Sequence, residues 1–233
     1  MISYSDGTKS QEAYLSPSVT GRGPGIIVIQ EWWGLVGHIK DVADRFAAEG
    51  FTALAPDLYN GKTTTEPDEA GSLLQAMHIG ETEGTLRKAI LTLLAHPAVW
   101  GDKVGVVGFC MGGQLAMFAA GSNPVIGATV DFYGIHPVVE PSYRSINGPV
   151  LGIFAENDSY ASPEAVKALS MELTLLDKDH EFITYPGTSH AFFNDQRPEV
   201  FDQEASEDAW RRTIAFFRQT LGPQSGEKAA FCS

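Results

Sequence analysis

The 233-residue sequence has few cysteines, few cations and no long apolar run, and each shortage excludes a class of protein. Its two cysteines, Cys110 and Cys232, are too few and too far apart for a disulfide framework. With 16 Lys and Arg against 29 Asp and Glu, the net charge of −13 argues against nucleic acid and anionic membranes as partners. No apolar run approaches the roughly 20 residues of a membrane span. The first residues lack a basic start and an apolar signal core, so we expect a cytoplasmic protein.

What the sequence does contain is an alternation of short apolar runs and helical patterns. The runs, typical of strands covered on both faces, lie at 26–29, 51–55, 104–107, 128–132, 150–154 and 181–185. Helices are predicted at about 37–49, 82–95, 162–176 and 205–220. The alternation predicts an α/β fold with a mostly parallel central sheet and helices on both faces. We expect one domain over 1–221, which begins with a hairpin within 2–15, and a flexible tail over 222–233. Residues 62–80 are predicted to form a polar segment, part of it helical, that covers the site.

A strand, a tight glycine-flanked turn and a helix follow one another in residues 104–117. The turn reads Gly108-Phe109-Cys110-Met111-Gly112, which has the context and spacing of the Gly-x-Ser-x-Gly nucleophile elbow with Cys in place of Ser. A side chain at either glycine would collide with the neighbouring strand or helix. A buried, inert cysteine in a Gly-rich turn is the alternative. The glycine spacing fits neither a dinucleotide fingerprint nor a phosphate loop.

Polar residues also follow other strands, at the edge where parallel α/β sheets bind their ligands. Cys110, Asp158 and His190 come in the chain order of nucleophile, acid and base that characterises the α/β-hydrolase triad. A His can take the thiol proton and return it to a leaving group, while the carboxylate orients the ring. Glu31, after the first long strand, is a further site candidate.

Other acids and histidines compete for these roles. Asp57 and Asp131 are the rival acids, although Asp57 precedes the elbow and so breaks the triad order. The five remaining histidines are interpreted as structural or solvated: His38, His78, His96, His136 and His180. The backbone N–H groups of Met111 and Trp32 are the candidate oxyanion hole.

The sequence resembles the dienelactone hydrolase (carboxymethylenebutenolidase) family over nearly its whole length. The resemblance rests on the motifs above and on four more: Gln30-Glu31, Pro56-Asp57-Leu58-Tyr59, Tyr133-Gly134 and His190-Ala191-Phe192. The resemblance implies a single-domain α/β-hydrolase fold, no metal or cofactor, and a monomer or small homo-oligomer. It also implies hydrolysis of small esters or lactones, such as dienelactone to maleylacetate, through a thioester acyl-enzyme.

The resemblance assigns roles residue by residue. It makes Cys110 the nucleophile, Asp158 the acid and His190 the base. Glu31 matches a carboxylate that partners the resting thiol, and Tyr133 matches a tyrosine that lines the pocket.

Apolar residues extend this candidate pocket. Trp33 and Phe192, next to motif residues, are predicted to contact substrate and to make the pocket apolar.

Two arginines that bind the dienelactone carboxylate in the family are not found at the matching positions. One position reads Asn194, and residues 66–77, which hold the other, contain no Lys or Arg. Arg144 and Arg197 are candidate replacements. The chemistry of the family therefore transfers better than its substrate, and a broader small-ester esterase is an open alternative. A binding or redox-sensing module, with Cys110 as a reactive thiol and no turnover, is a second one.

Overall fold

The structure, a computed structural model, describes residues 1–5, 10–136 and 139–222. Eight strands form one sheet: β1 (Ile2–Ser5), β2 (Ser10–Ser16), β3 (Gly23–Ile29), β4 (Thr52–Pro56), β5 (Val99–Phe109), β6 (Ile126–Phe132), β7 (Val150–Asn157) and β8 (His180–Ser189). Six α-helices accompany them: α1 (Gly37–Ala48), α2 (Pro67–Gln75), α3 (Ile79–Leu94), α4 (Met111–Ser122), α5 (Pro163–Leu175) and α6 (Gln203–Leu221). The predicted tail lies outside the described residues beyond Gly222.

The sheet has the order β1-β2-β4-β3-β5-β6-β7-β8. The first two strands form the predicted antiparallel hairpin, β2 pairs antiparallel with β4, and the remaining pairs are parallel. In the central pairs Ile29 aligns with Gly108 and Phe109 aligns with Phe132, so β3, β5 and β6 end at almost the same level. The predicted polar residues therefore emerge together at the carboxyl edge of the sheet.

The core has two layers because successive side chains of a strand point to opposite faces. On β3, Ile26 and Val28 pack towards α1 and α6, whereas Ile27 and Ile29 pack towards α3 and α4. All four side chains are fully buried, which explains the continuous apolar run in the sequence. The prediction of a mostly parallel sheet with helices on both faces is confirmed.

Some element ends differ from the sequence-based expectation. Helix α3 begins at Ile79 rather than Thr82, since the carbonyl of His78 already accepts a hydrogen bond from the Thr82 N–H at 3.0 Å. Strand β8 continues beyond the predicted 181–185 to Ser189, because its pairing with β7 resumes at that residue after an irregularity. None of the helices in the described ranges is both long enough and apolar enough to cross a bilayer.

Candidate active site

Cys110 occupies the sharp turn between β5 and α4. Its φ of 55° and ψ of −121° are unusual for a residue other than glycine, which is the strained geometry that the elbow motif predicts. A Cβ on Gly108 would overlap the carbonyl oxygen of Gly112, and a Cβ on Gly112 would lie 2.5 Å from two carbonyl oxygens at the end of β3. Both glycines are thus required sterically, and the turn presents the Cys110 side chain at the edge of the sheet.

The loop after β7 holds Asp158 in one orientation. Its Oδ1 accepts hydrogen bonds from the backbone N–H groups of Tyr160, at 2.7 Å, and of Ala161, at 3.0 Å. Its Oδ2 accepts from Nδ1 of His190 at 2.7 Å, and the carboxylate is fully buried. Since a carboxylate only accepts, Nδ1 of the ring carries a proton and Nε2 is the atom left to face the thiol.

His190 interacts with both other members of the predicted triad. Burial lowers the pKa of His190, but hydrogen bonds to Asp158 and Cys110, together with the negative charges of both groups, outweigh burial and raise it from 6.5 to about 10. The arrangement therefore favours the imidazolium form of His190 beside the Asp158 carboxylate. The structure brings the three predicted residues together.

Glu31, directly after β3, is a buried carboxylate with a neutral partner. Its side chain is 1% exposed, and Oε2 accepts a hydrogen bond from Nδ2 of Asn194 at 2.8 Å. The side-chain oxygen of Asn194, Oδ1, in turn accepts a hydrogen bond from the backbone N–H of Gln196 at 3.0 Å, which fixes the side-chain amide. Oε1 of Glu31 has no hydrogen-bond partner among the described residues. Oε1 therefore accepts no hydrogen bond from the Cys110 thiol in this structure, and the resting pairing of Glu31 with Cys110 that the resemblance implies stays a prediction.

A cavity of about 500 Å³ opens beside Cys110 at the carboxyl edge of the sheet. Six of the predicted site residues line it: Glu31, Trp32, Trp33, Cys110, Met111 and His190. Pro67 and Leu74 of α2 contribute to the wall, so the helical piece predicted within 62–80 does cover the site. Trp32 and Trp33 pack edge to face, with ring centroids 4.9 Å apart, and both are half-buried on the cavity wall.

The backbone groups of the candidate oxyanion hole lie where two elements end. Met111 is the first residue of α4, and the first N–H groups of a helix have no partner within the helix. Trp32 is the second residue of a turn that is closed by a hydrogen bond from the N–H of Gly34 to the carbonyl of Glu31 at 3.3 Å. Because both residues line the cavity next to Cys110, their N–H groups are suitably placed candidates for binding an oxyanion.

Tyr133 and Phe192 lie behind the cavity rather than on its wall. The Tyr133 ring, with a centroid 5.0 Å from that of His190, is 1% exposed. Burial raises the pKa of the Tyr133 hydroxyl well above its ordinary value, and the negative charges of Glu31 and Cys110 raise it further. Phe192 is fully buried and packs against Tyr133. Neither ring lines the cavity where the predictions place it: both Tyr133 and Phe192 belong to the hydrophobic core, as expected for large rings with no exposed face.

Tyr160 and His136 line the cavity although the sequence pattern does not place them there, and Arg197, a candidate replacement for a family arginine, lines it too. Tyr160 is 68% exposed and its ring lies 5.0 Å from that of His190; its position two residues after Asp158 is the available signal. His136, which the sequence suggests is structural or solvated, follows β6 and lines the cavity, and burial lowers its pKa. Arg197 lies with its guanidinium 5.9 Å from the Trp33 ring.

The rival residues have other surroundings. Asp57 accepts hydrogen bonds from the backbone N–H groups of Tyr59, at 2.9 Å, and Gly61, at 2.5 Å, and so shapes the turn after β4. Asp131 is fully buried, and burial raises its pKa well above the ordinary value although the N–H of Gly134 donates to it. Arg144 is exposed and does not line the cavity. Across the described ranges, no three His, Cys, Asp or Glu side chains converge to hold a metal ion.

Known proteins resemble this chain in sequence and in fold. Residues 11–221 match the model of the dienelactone hydrolase family. The sequence is 36% identical over 228 residues to "Protein usf" of Aquifex pyrophilus, covering 95% of this chain and 98% of the relative. It is 32% identical over 206 residues to the "Putative carboxymethylenebutenolidase" of Aquifex aeolicus, covering 85% and 89%.

Solved structures extend the comparison to the α/β-hydrolase fold. A dienelactone hydrolase-like promiscuous phosphotriesterase from metagenomic libraries superposes with a TM-score of 0.84 at 25% identity, covering 94% of this chain and 96% of the other. The family match spans every element from β2 to α6. The chain therefore belongs to the dienelactone hydrolase family and is a hydrolase of ester or lactone bonds.

Proposed function

We propose that the chain hydrolyses small carboxylic esters or lactones through a thioester on Cys110. One observation carries the proposal: Nδ1 of His190 donates to buried Asp158 at 2.7 Å, while His190 and Cys110 line the same cavity and Cys110 raises the pKa of His190. This is the arrangement that nucleophilic acyl transfer requires, because a base is oriented by a third group.

In the acylation step the Cys110 thiolate attacks the carbonyl carbon, and the carbonyl electrons move onto oxygen. The N–H groups of Trp32 and Met111 stabilise this oxyanion. As the intermediate collapses, the bond to the leaving alkoxide breaks and Nε2–H of His190 protonates the leaving oxygen. In the deacylation step neutral His190 takes a proton from water, hydroxide attacks the thioester, and the C–S bond breaks to regenerate the thiolate beside an imidazolium.

The cavity favours neutral acyl groups over dienelactone. Asn194 occupies one of the two positions where the family resemblance places an arginine, and its amide is engaged by Glu31. Helix α2 carries no cation. Arg197 does line the cavity, but its Nε donates to Glu199 at 2.9 Å, so a nearby carboxylate already compensates its charge. An anionic substrate would therefore lose the desolvated bidentate contacts that make carboxylate binding strong.

The test compares cis-dienelactone with p-nitrophenyl acetate, using the wild type and Cys110→Ala. We expect hydrolysis of the neutral ester to exceed that of dienelactone and to vanish in the variant. When wild-type turnover of p-nitrophenyl acetate is quenched with acid, mass spectrometry should detect an acetyl group on Cys110, since the thioester is an intermediate. Full activity in Cys110→Ala would refute the nucleophile, and saturable binding without any turnover would favour the binding-module alternative.

A further inference from the structure

A second cavity adjoins the cavity that contains Cys110. Its volume is about 390 Å³, and three residues, Trp33, Pro67 and Arg197, contribute to the walls of both cavities. Since each of these residues borders both spaces, the two cavities lie no further apart than the width of one side chain. A cavity of about 150 Å³ is enough for benzene, so the second cavity has room for a ring together with part of its linker.

The partition between the two cavities is weakly held at Arg197. Within the part of the chain that the structure describes, the side chain of Arg197 makes one hydrogen bond, from Nε to Glu199 at 2.9 Å. The two side chains are 33% and 59% exposed, and such an ion pair holds its members loosely, because water and salt screen it. The guanidinium can therefore move aside at small cost and let a bound molecule extend from one cavity into the other.

The walls of the second cavity suit a neutral aromatic ring. Trp33, Val36 and Pro67 provide apolar surface, and the guanidinium of Arg197 lies 5.9 Å from the centroid of the Trp33 ring. Aromatic rings are attracted to both groups, since they pack favourably on an indole and bind cations over their faces. Arg197 and Glu199 are the only charged residues among those that line this cavity, and they are paired, so an ionic ligand finds no uncompensated charge.

We propose that the second cavity is a subsite for an aromatic ring that the substrate carries several bonds away from its ester group. The inference rests on the proposed hydrolase function and deepens it, because it names arylalkyl esters as the substrate class. The ester group lies beside Cys110 in the first cavity, the linker passes between Trp33 and Arg197, and the ring occupies the second cavity. A saturated ring of similar size gains the burial of apolar area alone, whereas an aromatic ring also gains the contacts with the indole and the guanidinium.

The experiment compares phenyl esters with cyclohexyl esters that have the same linker, and the released acid is titrated at constant pH. The acyl series consists of methyl phenylacetate, methyl 3-phenylpropionate and methyl 4-phenylbutyrate. The alcohol series consists of benzyl acetate, 2-phenylethyl acetate and 3-phenylpropyl acetate. An aromatic contact contributes about 2- to 12-fold beyond its buried area, so kcat/KM of the phenyl ester should exceed that of its cyclohexyl counterpart by that factor in the longer members of one series.

Substitutions test the place and the chemistry of the subsite separately, and both readouts are ratios between substrates. Val36 and Thr65 line the second cavity but not the first, so Val36→Trp and Thr65→Trp each fill it from a different element. At least one of them should lower kcat/KM of the longest preferred phenyl ester relative to the shortest. Trp33→Leu removes the indole, and the ratio of phenyl to cyclohexyl ester should fall towards one. Thr174→Trp, on the exposed surface of α5, lines neither cavity and should leave both ratios unchanged.

The outcomes separate the subsite from the hydrolase function. If the wild type hydrolyses p-nitrophenyl acetate but shows no preference for phenyl in either series, the subsite is refuted while the hydrolase function stands. A preference confined to the shortest members, or one that both cavity-filling variants retain, places the ring outside the second cavity and also refutes the subsite. If no ester is turned over, both proposals fall.

Discussion

Asp158→Asn tests the proposed triad sharply, because the structure dictates how the new amide must orient. Oδ1 of Asp158 accepts two backbone N–H groups, from Tyr160 and Ala161, whereas Oδ2 accepts from His190. In the variant the amide oxygen must stay with the two N–H donors. The amide N–H₂ then faces Nδ1 of His190, which can accept that hydrogen bond only without its own proton. The remaining ring proton moves to Nε2, and the base is lost.

The magnitude follows from two contributions. The fully buried carboxylate accepts a 2.7 Å hydrogen bond, and losing such a charge-assisted bond costs about 1.5–3 kcal/mol, or about 10- to 150-fold in rate. Forcing the wrong tautomer adds to this, and in serine triads the combined loss is about 10⁴-fold. We expect a fall in kcat of about 10³- to 10⁴-fold, with KM for a small neutral ester little changed.

The assay is steady-state hydrolysis of p-nitrophenyl acetate, with unfolding in urea as the control for folding. The variant should keep most of its stability, because the oxygen of the new amide preserves both backbone contacts. Asp158→Ala is the matched comparison: it loses those contacts as well and should unfold at lower urea. A variant that retains a tenth or more of the wild-type kcat would contradict the assigned orientation of the ring.

Further predictions concern titration and packing. In Cys110→Ala the pKa of His190, followed by NMR of the imidazole ring, should fall below about 10, because a hydrogen bond and a negative charge that raise it are removed; an unchanged pKa in this variant would exclude the contact with Cys110. The free energy of unfolding of the wild type should decline as the pH rises from about 6.5 towards 10. Burial raises the pKa of Asp131, so the folded protein keeps a proton on this residue that the unfolded protein loses near pH 4. Asp131→Asn should therefore stabilise the protein above that pH and not below it. Equal urea midpoints for the wild type and the variant at pH 7 would count against this. Gly112→Ala should lower the free energy of unfolding in urea by about 3 kcal/mol, because its Cβ would lie 2.5 Å from carbonyl oxygens, whereas Gly84→Ala, in open space on α3, should not lower it. Similar decreases in both variants would reject the steric argument.

The elements around the site were predictable because they depend on local patterns. Four consecutive apolar residues in β3 are typical of a strand covered on both faces, and the structure buries all four. The elbow was predictable because its two glycines and the strand-to-helix context constrain the backbone at Cys110. Asp158 and His190 followed from their order along the chain and their place after strands.

Contacts between distant loops could not be predicted in the same way. Asn194 and Glu31 are 163 residues apart, and their hydrogen bond depends on how the segment after β8 folds back towards β3. Phe192 is likewise buried at a change of direction that the sequence pattern does not show, directly after Ala191 with its φ of 66°. No periodicity in the sequence records such a change of direction, because it arises from a single dihedral angle.

The loop after β7 divides two tasks between the main chain and the side chain of one residue. The N–H of Tyr160 holds Asp158, whereas its ring stands exposed beside the His190 ring and lines the cavity. Any residue except proline can supply that N–H. Position 160 is therefore free to vary in sequence and to change which esters the cavity accepts, while the carboxylate stays in place. Evolution, or a saturation library at this one codon, can alter substrate selectivity without disturbing the machinery that breaks the ester bond.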